Sequence, residues 1–242
     1  MSGKVNDKKW RLATGWGRAG GFLREILVLV IGIMISFLIN DYRQNRQYSK
    51  EEATVILQLY EDLRLDTALI AQGLKEIKIV EEAFNDYVNA ESIEDSVGLQ
   101  EFTRSMYGFL NVFTFNPNRT AYMQLTVQSK LDRVQDRALL SKVMRLYEED
   151  YQNVKFIIEF HSEYFSNTLS DLLFDALPFT ERGLQPTDYE GINAFIHDRA
   201  TGNRLEFAYI LILNMRVVYQ KVQREVESIL NYIESNYKDR LT

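Results

Sequence analysis

The sequence predicts an all-α protein, in which an N-terminal transmembrane helix continues into an antiparallel bundle of about four long helices with coiled-coil-like packing. Three observations lead to this fold class. An uncharged apolar run follows a basic N-terminus, only three prolines occur in 242 residues, and apolar side chains recur every three or four residues over long stretches. Such spacing is typical of helices that pack lengthwise, and few helix breakers interrupt it.

The apolar run at residues 26–39 predicts the membrane helix. Its fourteen residues carry no charge, and twelve of them are apolar. Widened to residues 20–40, the run forms about 30 Å of helix, which is enough to cross a bilayer. Arg24 and Glu25 then lie at the membrane edge, where charged side chains reach the headgroup layer. No small-x-small cleavage site follows the run, so we expect an uncleaved anchor.

The charges predict the orientation and exclude one class of partner. Residues 1–40 hold six Lys and Arg against two acidic residues, whereas the remainder holds 22 basic and 32 acidic residues. By the positive-inside rule, residues 1–19 are a cytoplasmic leader and residues 41–242 lie outside the cytoplasm. We therefore expect a single-pass protein of the bacterial inner membrane with its bulk in the periplasm. The acidic body argues against a nucleic-acid partner and leaves the lipid bilayer and other proteins.

Two small residues within the predicted span form a possible contact face. Gly32 and Ser36 are four residues apart and share one side of the helix. Small residues at this spacing allow two membrane helices to approach closely. Composition alone also produces such pairs, so both interpretations stay open.

The first soluble helix is predicted to run on from the span to about residue 90. Its 3–4 spacing selects ten positions, of which only Asp66 and Gly73 are neither apolar nor aromatic: Ile56, Leu59, Leu63, Asp66, Ile70, Gly73, Ile77, Val80, Phe84 and Tyr87. A polar turn at 92–98, a helix over about 99–113, a break at 116–118 and a helix over about 119–129 follow. A connector at 130–136 then ends at Asp136, a predicted N-cap.

The second half of the chain is predicted to hold two long helices. One covers about 137–176 and the other about 204–238, with a loop at 177–191, a short helical piece and a lead-in at 201–203 between them. The first shows the seam Leu140, Val143, Tyr147, Tyr151, Val154, Ile158, His161, Phe165, Leu169, Leu172. The second shows the seam Leu205, Ala208, Ile212, Met215, Tyr219, Val222, Val226, Ile229, Ile233.

The residues that carry chemistry are sparse. The chain has no cysteine, which excludes disulfides, thiolate metal sites and cysteine nucleophiles. Of its two histidines, His161 lies on an apolar seam. It is either a hydrogen-bonded core residue or a pH-sensing or ligand-binding residue. His197 lies near a helix end, where it can cap. Neither belongs to a recognisable catalytic or metal-binding motif. We therefore predict no catalytic residue, cofactor or metal, and a non-enzymatic function.

Two stretches resemble an uncharacterised bacterial family of single-pass, all-helical membrane proteins, classed only as a domain of unknown function. The first is the run from Arg24 to Tyr42, in which Glu25, Gly32 and Asn40 match the family's start and finish of the span. The second runs from Ala121 to Tyr147 and matches the family's middle element at Leu131, Asp136 and Leu140. The resemblance implies an anchor and a helical body, and it implies no known activity.

Together these features predict a membrane-anchored helical interaction or scaffold protein that binds a partner protein or a second copy of itself. One alternative is a sensory bundle that binds a ligand and works with a separate signalling subunit. That subunit would be contacted through Gly32 and Ser36 or through Arg24 and Glu25. If the bundle were cytoplasmic, a membrane-perturbing effector would be the alternative.

Overall fold

The computed structural model describes residues 13–90, 92–127, 134–176, 179–180, 183–184 and 189–238. Most of the predicted leader, the connector residues 130–133 and much of the predicted loop at 177–191 lie outside these ranges. The described residues are almost entirely helical, which confirms the all-α prediction. The chain forms two compact units, Met1–Glu52 and Ala53–Thr242.

Eight α-helices occupy the described residues. They are α1 (Ala13–Val88), α2 (Ser96–Phe109), α3 (Thr120–Val127), α4 (Arg137–Arg145), α5 (Tyr151–Tyr164), α6 (Ser170–Ala176), α7 (Tyr189–His197) and α8 (Arg199–Asn236). Two π-helical turns, π1 (Leu146–Asp150) and π2 (Phe165–Leu169), join α4 to α5 and α5 to α6. Two short strands, β1 (Phe179–Thr180) and β2 (Gly183–Leu184), pair antiparallel, a feature that the sequence pattern did not predict.

The predicted seams form the core of the second unit. All ten seam positions between residues 56 and 87, and all nine on α8, are buried. Their apolar and aromatic members belong to one hydrophobic cluster, which also contains Phe102, Phe109, Phe113, Phe115 and Tyr122. Burial of this apolar surface is the main favourable term in folding.

The π-helical turns explain a spacing within the seam at residues 140–172. Val143, Tyr147 and Tyr151 follow one another at intervals of four, which drifts off one face of an ordinary helix with 3.6 residues per turn. A wider turn at π1 returns the seam to the core, and all three side chains are buried. After π2 the buried position is Leu173 rather than the predicted Leu172, since the extra residue shifts the phase.

Contacts between side chains give the directions of the long helices in the second unit. Tyr60 contacts Glu234, Gly73 lies against Tyr219 and Glu81 contacts Arg216, so α1 here runs antiparallel to α8. The continuous helix 137–176 also runs antiparallel to α8, through the pairs Asp136–Tyr232, Asp150–Lys221 and Tyr164–Arg204.

Helix ends differ from the predicted ones where a capping aspartate was not recognised. Asp95 accepts hydrogen bonds from the backbone N–H groups of Val97 and Gly98, so α2 begins at Ser96 instead of residue 99. Asp198 accepts from the N–H of Thr201, so residues 201–203 lie inside α8 and do not lead into it. Side-chain caps of this kind satisfy the free N–H groups of a first helical turn.

Candidate functional site

The four residues predicted to act at the membrane all lie on α1. Arg24, Glu25, Gly32 and Ser36 are exposed. The Ser36 hydroxyl donates a hydrogen bond of 2.8 Å to the carbonyl oxygen of Gly32, so its polar group is satisfied within the helix. The space in front of Gly32 is open. Both features suit close approach of another helix, and the contact face stays a prediction.

The helix that carries these residues is long and apolar enough to cross a membrane. Among the described residues it is the one helix with that length and composition, and it lies near the N-terminus. Signal sequences share those properties. The apolar side chains of residues 26–39 are all exposed.

His161 lies in the core, on α5. Its imidazole packs edge-on against the ring of Phe113, with 5.3 Å between the ring centroids. Burial lowers the pKa of His161 from 6.5 to about 4. The side chain is therefore neutral near pH 7. A pH-sensing role stays a prediction, and it would operate in acid rather than at neutral pH.

A buried carboxylate, which was predicted only as an exception in the apolar seam of the first soluble helix, organises the core around the chain break at 116–118. Asp66 on α1 is fully buried and accepts hydrogen bonds from the Tyr151 hydroxyl at 2.6 Å and from the backbone N–H of Asn118 at 2.8 Å. The side-chain amide of Asn118 donates to the same carboxylate at 3.1 Å, and the Tyr147 hydroxyl donates to the Asn118 carbonyl at 2.8 Å. These bonds tie α1, the break and the helix 137–176 together.

The electrostatics of this network are those of a closed structural site. Burial raises the pKa of Asp66, while the hydrogen bonds from Tyr151 and Asn118 act in the opposite direction. Burial, together with the charge of Asp66, raises the pKa of Tyr151, so its hydroxyl remains a hydrogen-bond donor at neutral pH. Each named donor has an acceptor. We infer that the network holds the break in place, as fully satisfied buried polar groups do.

Two further aspartates hold helix starts. Asp62 accepts from the N–H of Ala121 at 2.8 Å, at the beginning of α3. Asp136 accepts from the N–H of Leu139 at 2.9 Å, which confirms the predicted N-cap. The Asp136 carboxylate also accepts from the hydroxyls of Tyr232 and Tyr237, so it fastens the start of α4 to the end of α8.

Charged pairs lie at the rim of the core. Lys221 contacts Asp150 at 2.6 Å, and Arg145 contacts Glu225 at 2.7 Å. The Asp150 carboxylate is buried, whereas Arg145 and Glu225 are both partly exposed. Only the Arg145–Glu225 pair is therefore of the solvent-screened type that contributes little net stability. Within the described residues, no group of three or more His, Cys, Asp or Glu side chains is placed to hold a metal ion.

The outer faces of α5 and α8 carry exposed apolar side chains. We call this set the α5–α8 stripe: Phe156, Phe160, Phe207, Ile210 and Val217, with Asn214 among them. Phe156 is 67% exposed and Val217 is 59% exposed. The two phenylalanines of α5 stack on each other with 6.4 Å between centroids, and the ring of Tyr164 lies 4.9 Å from that of Phe207. The contact between Tyr164 and Phe207 shows that the two sets of exposed side chains lie on neighbouring helices.

The stripe was not predicted, because the core seam of each helix is the more regular pattern. On α8, Phe207, Ile210, Asn214 and Val217 form a second row at spacings of three and four, on the side of the helix opposite the core row. A helix with apolar residues on two faces has a second surface to cover. That second row was the available signal.

Comparison with known proteins identifies no relative of this chain. No family model, no curated protein and no solved structure matches this chain.

Proposed function

We propose that this chain is a non-enzymatic, membrane-anchored helical protein that assembles with a second copy of itself through the α5–α8 stripe. Residues 20–40 anchor it in a bacterial inner membrane, and residues 41–242 form an antiparallel bundle of about four helices in the periplasm. The single observation that supports assembly is the stripe. Exposed apolar patches of this kind are typical of interaction surfaces on soluble parts of proteins.

The row on α8 favours a second copy over an unrelated protein. Phe207, Ile210, Asn214 and Val217 have the spacing of a two-stranded coiled-coil seam, in which apolar residues of one helix pack against the same residues of its partner. One asparagine within such a seam sets register and favours two strands, because the two amides pair with each other. Asn214 occupies that place.

Membrane anchoring supports the same conclusion. Copies held in one bilayer meet at a high effective concentration, so a modest interface is enough for assembly. An isologous pair would also bury Phe156 and Phe160 twice, once from each copy. The resemblance to an uncharacterised family of single-pass, all-helical membrane proteins is consistent with this proposal and adds no activity to it.

Cysteine crosslinking in membranes tests the assembly directly. Since the chain contains no cysteine, Asn214→Cys introduces one reactive thiol at the centre of the stripe. Mild oxidation should yield a disulfide-linked dimer, which non-reducing electrophoresis separates from the monomer. The matched control is Leu65→Cys, on the exposed face of α1 and outside the stripe, which should stay monomeric.

A second variant distinguishes assembly from random collision. Ile210→Glu combined with Val217→Glu places charges on the stripe without touching the core, because both side chains are exposed. In the Asn214→Cys background these changes should abolish the crosslink while the helical circular dichroism signal is retained. Equal crosslinking of the two single-cysteine chains, or no effect of the glutamates, would refute the proposed interface.

Reporter fusions after Thr242 test the orientation. A reporter active only outside the cytoplasm should be active, and a cytoplasm-only reporter should be silent, as the basic leader predicts. The reverse result would place the bundle in the cytoplasm. It would then favour the membrane-perturbing effector, with membrane leakage on expression as the next assay.

A further inference from the structure

An open groove of about 580 Å³ lies on α1 where the predicted span ends, within the first unit. Six of its described lining residues carry the argument: Ile35, Leu38, Ile39, Tyr42, Arg43 and Arg46. In chain order, the lining changes from aliphatic side chains through one aromatic ring to two guanidinium groups. The groove therefore has an apolar half inside the predicted span and a basic half beyond it.

The basic half presents two arginines on one side of the helix. Arg43 and Arg46 are three residues apart, so they lie on neighbouring turns, and both are exposed. Along α1, no acidic residue occurs three or four positions from either of them. Asp41, which precedes both, lies roughly 140° or more around the helix from each, at 3.6 residues per turn. Thus α1 itself places no carboxylate beside the two arginines, and this half of the groove suits an anion.

The depth of the arginines matches that of lipid phosphates. At 1.5 Å per residue, Arg43 lies roughly 4–5 Å and Arg46 roughly 9 Å beyond residue 40, the end of the predicted span. The headgroup layer on each side of a bilayer is roughly 5–8 Å thick. A long arginine side chain bends towards that layer, so both guanidinium groups reach the same depth. Tyr42 precedes them at the level where aromatic side chains of membrane proteins are enriched.

The apolar half decides between a soluble anion and a lipid. Ile35, Leu38 and Ile39 are exposed side chains of the predicted span. A soluble phosphate would fill the basic half and leave these side chains uncovered, whereas an acyl chain of a phospholipid covers them. Guanidinium groups bind phosphate oxygens through paired, charge-assisted hydrogen bonds. A choline headgroup would bring its own positive charge next to the arginines, so an anionic headgroup fits better.

We propose that this groove binds one anionic phospholipid. Its phosphate lies between Arg43 and Arg46, and one acyl chain lies along Ile35, Leu38 and Ile39. The proposal rests on the membrane anchor of the proposed function and adds a lipid class to it. The observation that supports it is the meeting of a basic and an apolar half in one groove at the end of the span.

Quenching by brominated lipids tests the groove in the full chain. Trp10→Phe and Trp16→Phe remove both native tryptophans, and Ile39→Trp places one in the groove. The protein is reconstituted in phosphatidylcholine bilayers that contain brominated phosphatidylglycerol or, at the same mole fraction, brominated phosphatidylcholine. The anionic lipid should quench more strongly, with a relative affinity of about fivefold or more, the effect of one basic residue near anionic headgroups. Phe37→Trp, at nearly the same depth on the other side of α1, should show no preference.

A relocation of the two charges separates a binding site from diffuse attraction. Arg43→Gln and Arg46→Gln, combined with Gln44→Arg and Asn45→Arg, keep the net charge and its depth but move both arginines off the groove. In the Ile39→Trp background, the preference for the anionic lipid should then disappear.

The outcomes separate the lipid site from the anchor. Quenching of Ile39→Trp by neither lipid overturns the membrane anchor together with the lipid site. Equal quenching by both lipids leaves the anchor in place and overturns the lipid site alone. A preference that survives the relocation, or one that Phe37→Trp shows equally, would indicate general attraction of anionic lipids to a basic segment. Either of these results also overturns the proposal.

Discussion

Replacing His161 with phenylalanine should remove a defined part of the protein's acid sensitivity. The pKa of this buried imidazole is lowered from 6.5 to about 4, with burial as the cause. A lowered pKa means that the unfolded chain takes up the proton first. The stability associated with a neutral His161 is therefore fully present above pH 6.5 and is lost as the pH falls towards 4. At pH 5 the loss amounts to about 2 kcal/mol relative to pH 7.

Urea unfolding of the full chain in nonionic detergent, followed by circular dichroism at both pH values, measures this loss. Phenylalanine keeps an aromatic ring against Phe113 but cannot be protonated. His161→Phe should therefore lose about 2 kcal/mol less stability between pH 7 and pH 5 than the unmodified chain does. His197→Phe, at an exposed position at the end of α7, is the matched control and should keep the full loss. Equal losses for His161→Phe and the unmodified chain would refute the reasoning.

Three further predictions concern stability and are measured by the same urea unfolding at neutral pH. Gly73→Ala should lower the free energy of unfolding by about 1–3 kcal/mol, because a Cβ would overlap the Tyr219 ring. The matched control is Gly202→Ala, which has open space around it. It should leave the free energy of unfolding unchanged or raise it by up to about 1 kcal/mol through helix propensity. Asp66→Ala should cost about 3 kcal/mol or more, since it leaves several buried donors unpaired; a cost below 1 kcal/mol would contradict the network. Asp136→Ala should cost about 1–2 kcal/mol through loss of the cap, and an unchanged midpoint would contradict it.

The seams show how much of the fold could be predicted. Every predicted seam position on α8 and on residues 56–87 of α1 is buried, because a helix that buries one face must repeat apolar residues at its own period. The predicted cap at Asp136 is confirmed for a similar reason, since capping is local along the chain. The starts of α2 and α8 were missed because Asp95 and Asp198 stand in polar stretches that offer many candidate caps.

The two seam positions that are neither apolar nor aromatic make contacts that the periodic pattern does not indicate. Asp66 and Gly73 look like flaws in an apolar row. In the folded chain, Asp66 accepts the hydrogen bonds of Asn118 and Tyr151, and Gly73 makes room for Tyr219. Each partner lies at least fifty residues away along the chain. A periodic pattern marks such positions as exceptions without indicating what they contact.

The sequence by itself determined the all-α class, the helix faces that form the core and the apolar run suited to a membrane. These follow from periodicity and composition, which act within a single helix. Only the tertiary structure decided which helices are neighbours, and therefore which polar residues are satisfied and which surfaces stay uncovered. The α5–α8 stripe is of the second kind, because the exposure of a side chain depends on what every other element has already covered.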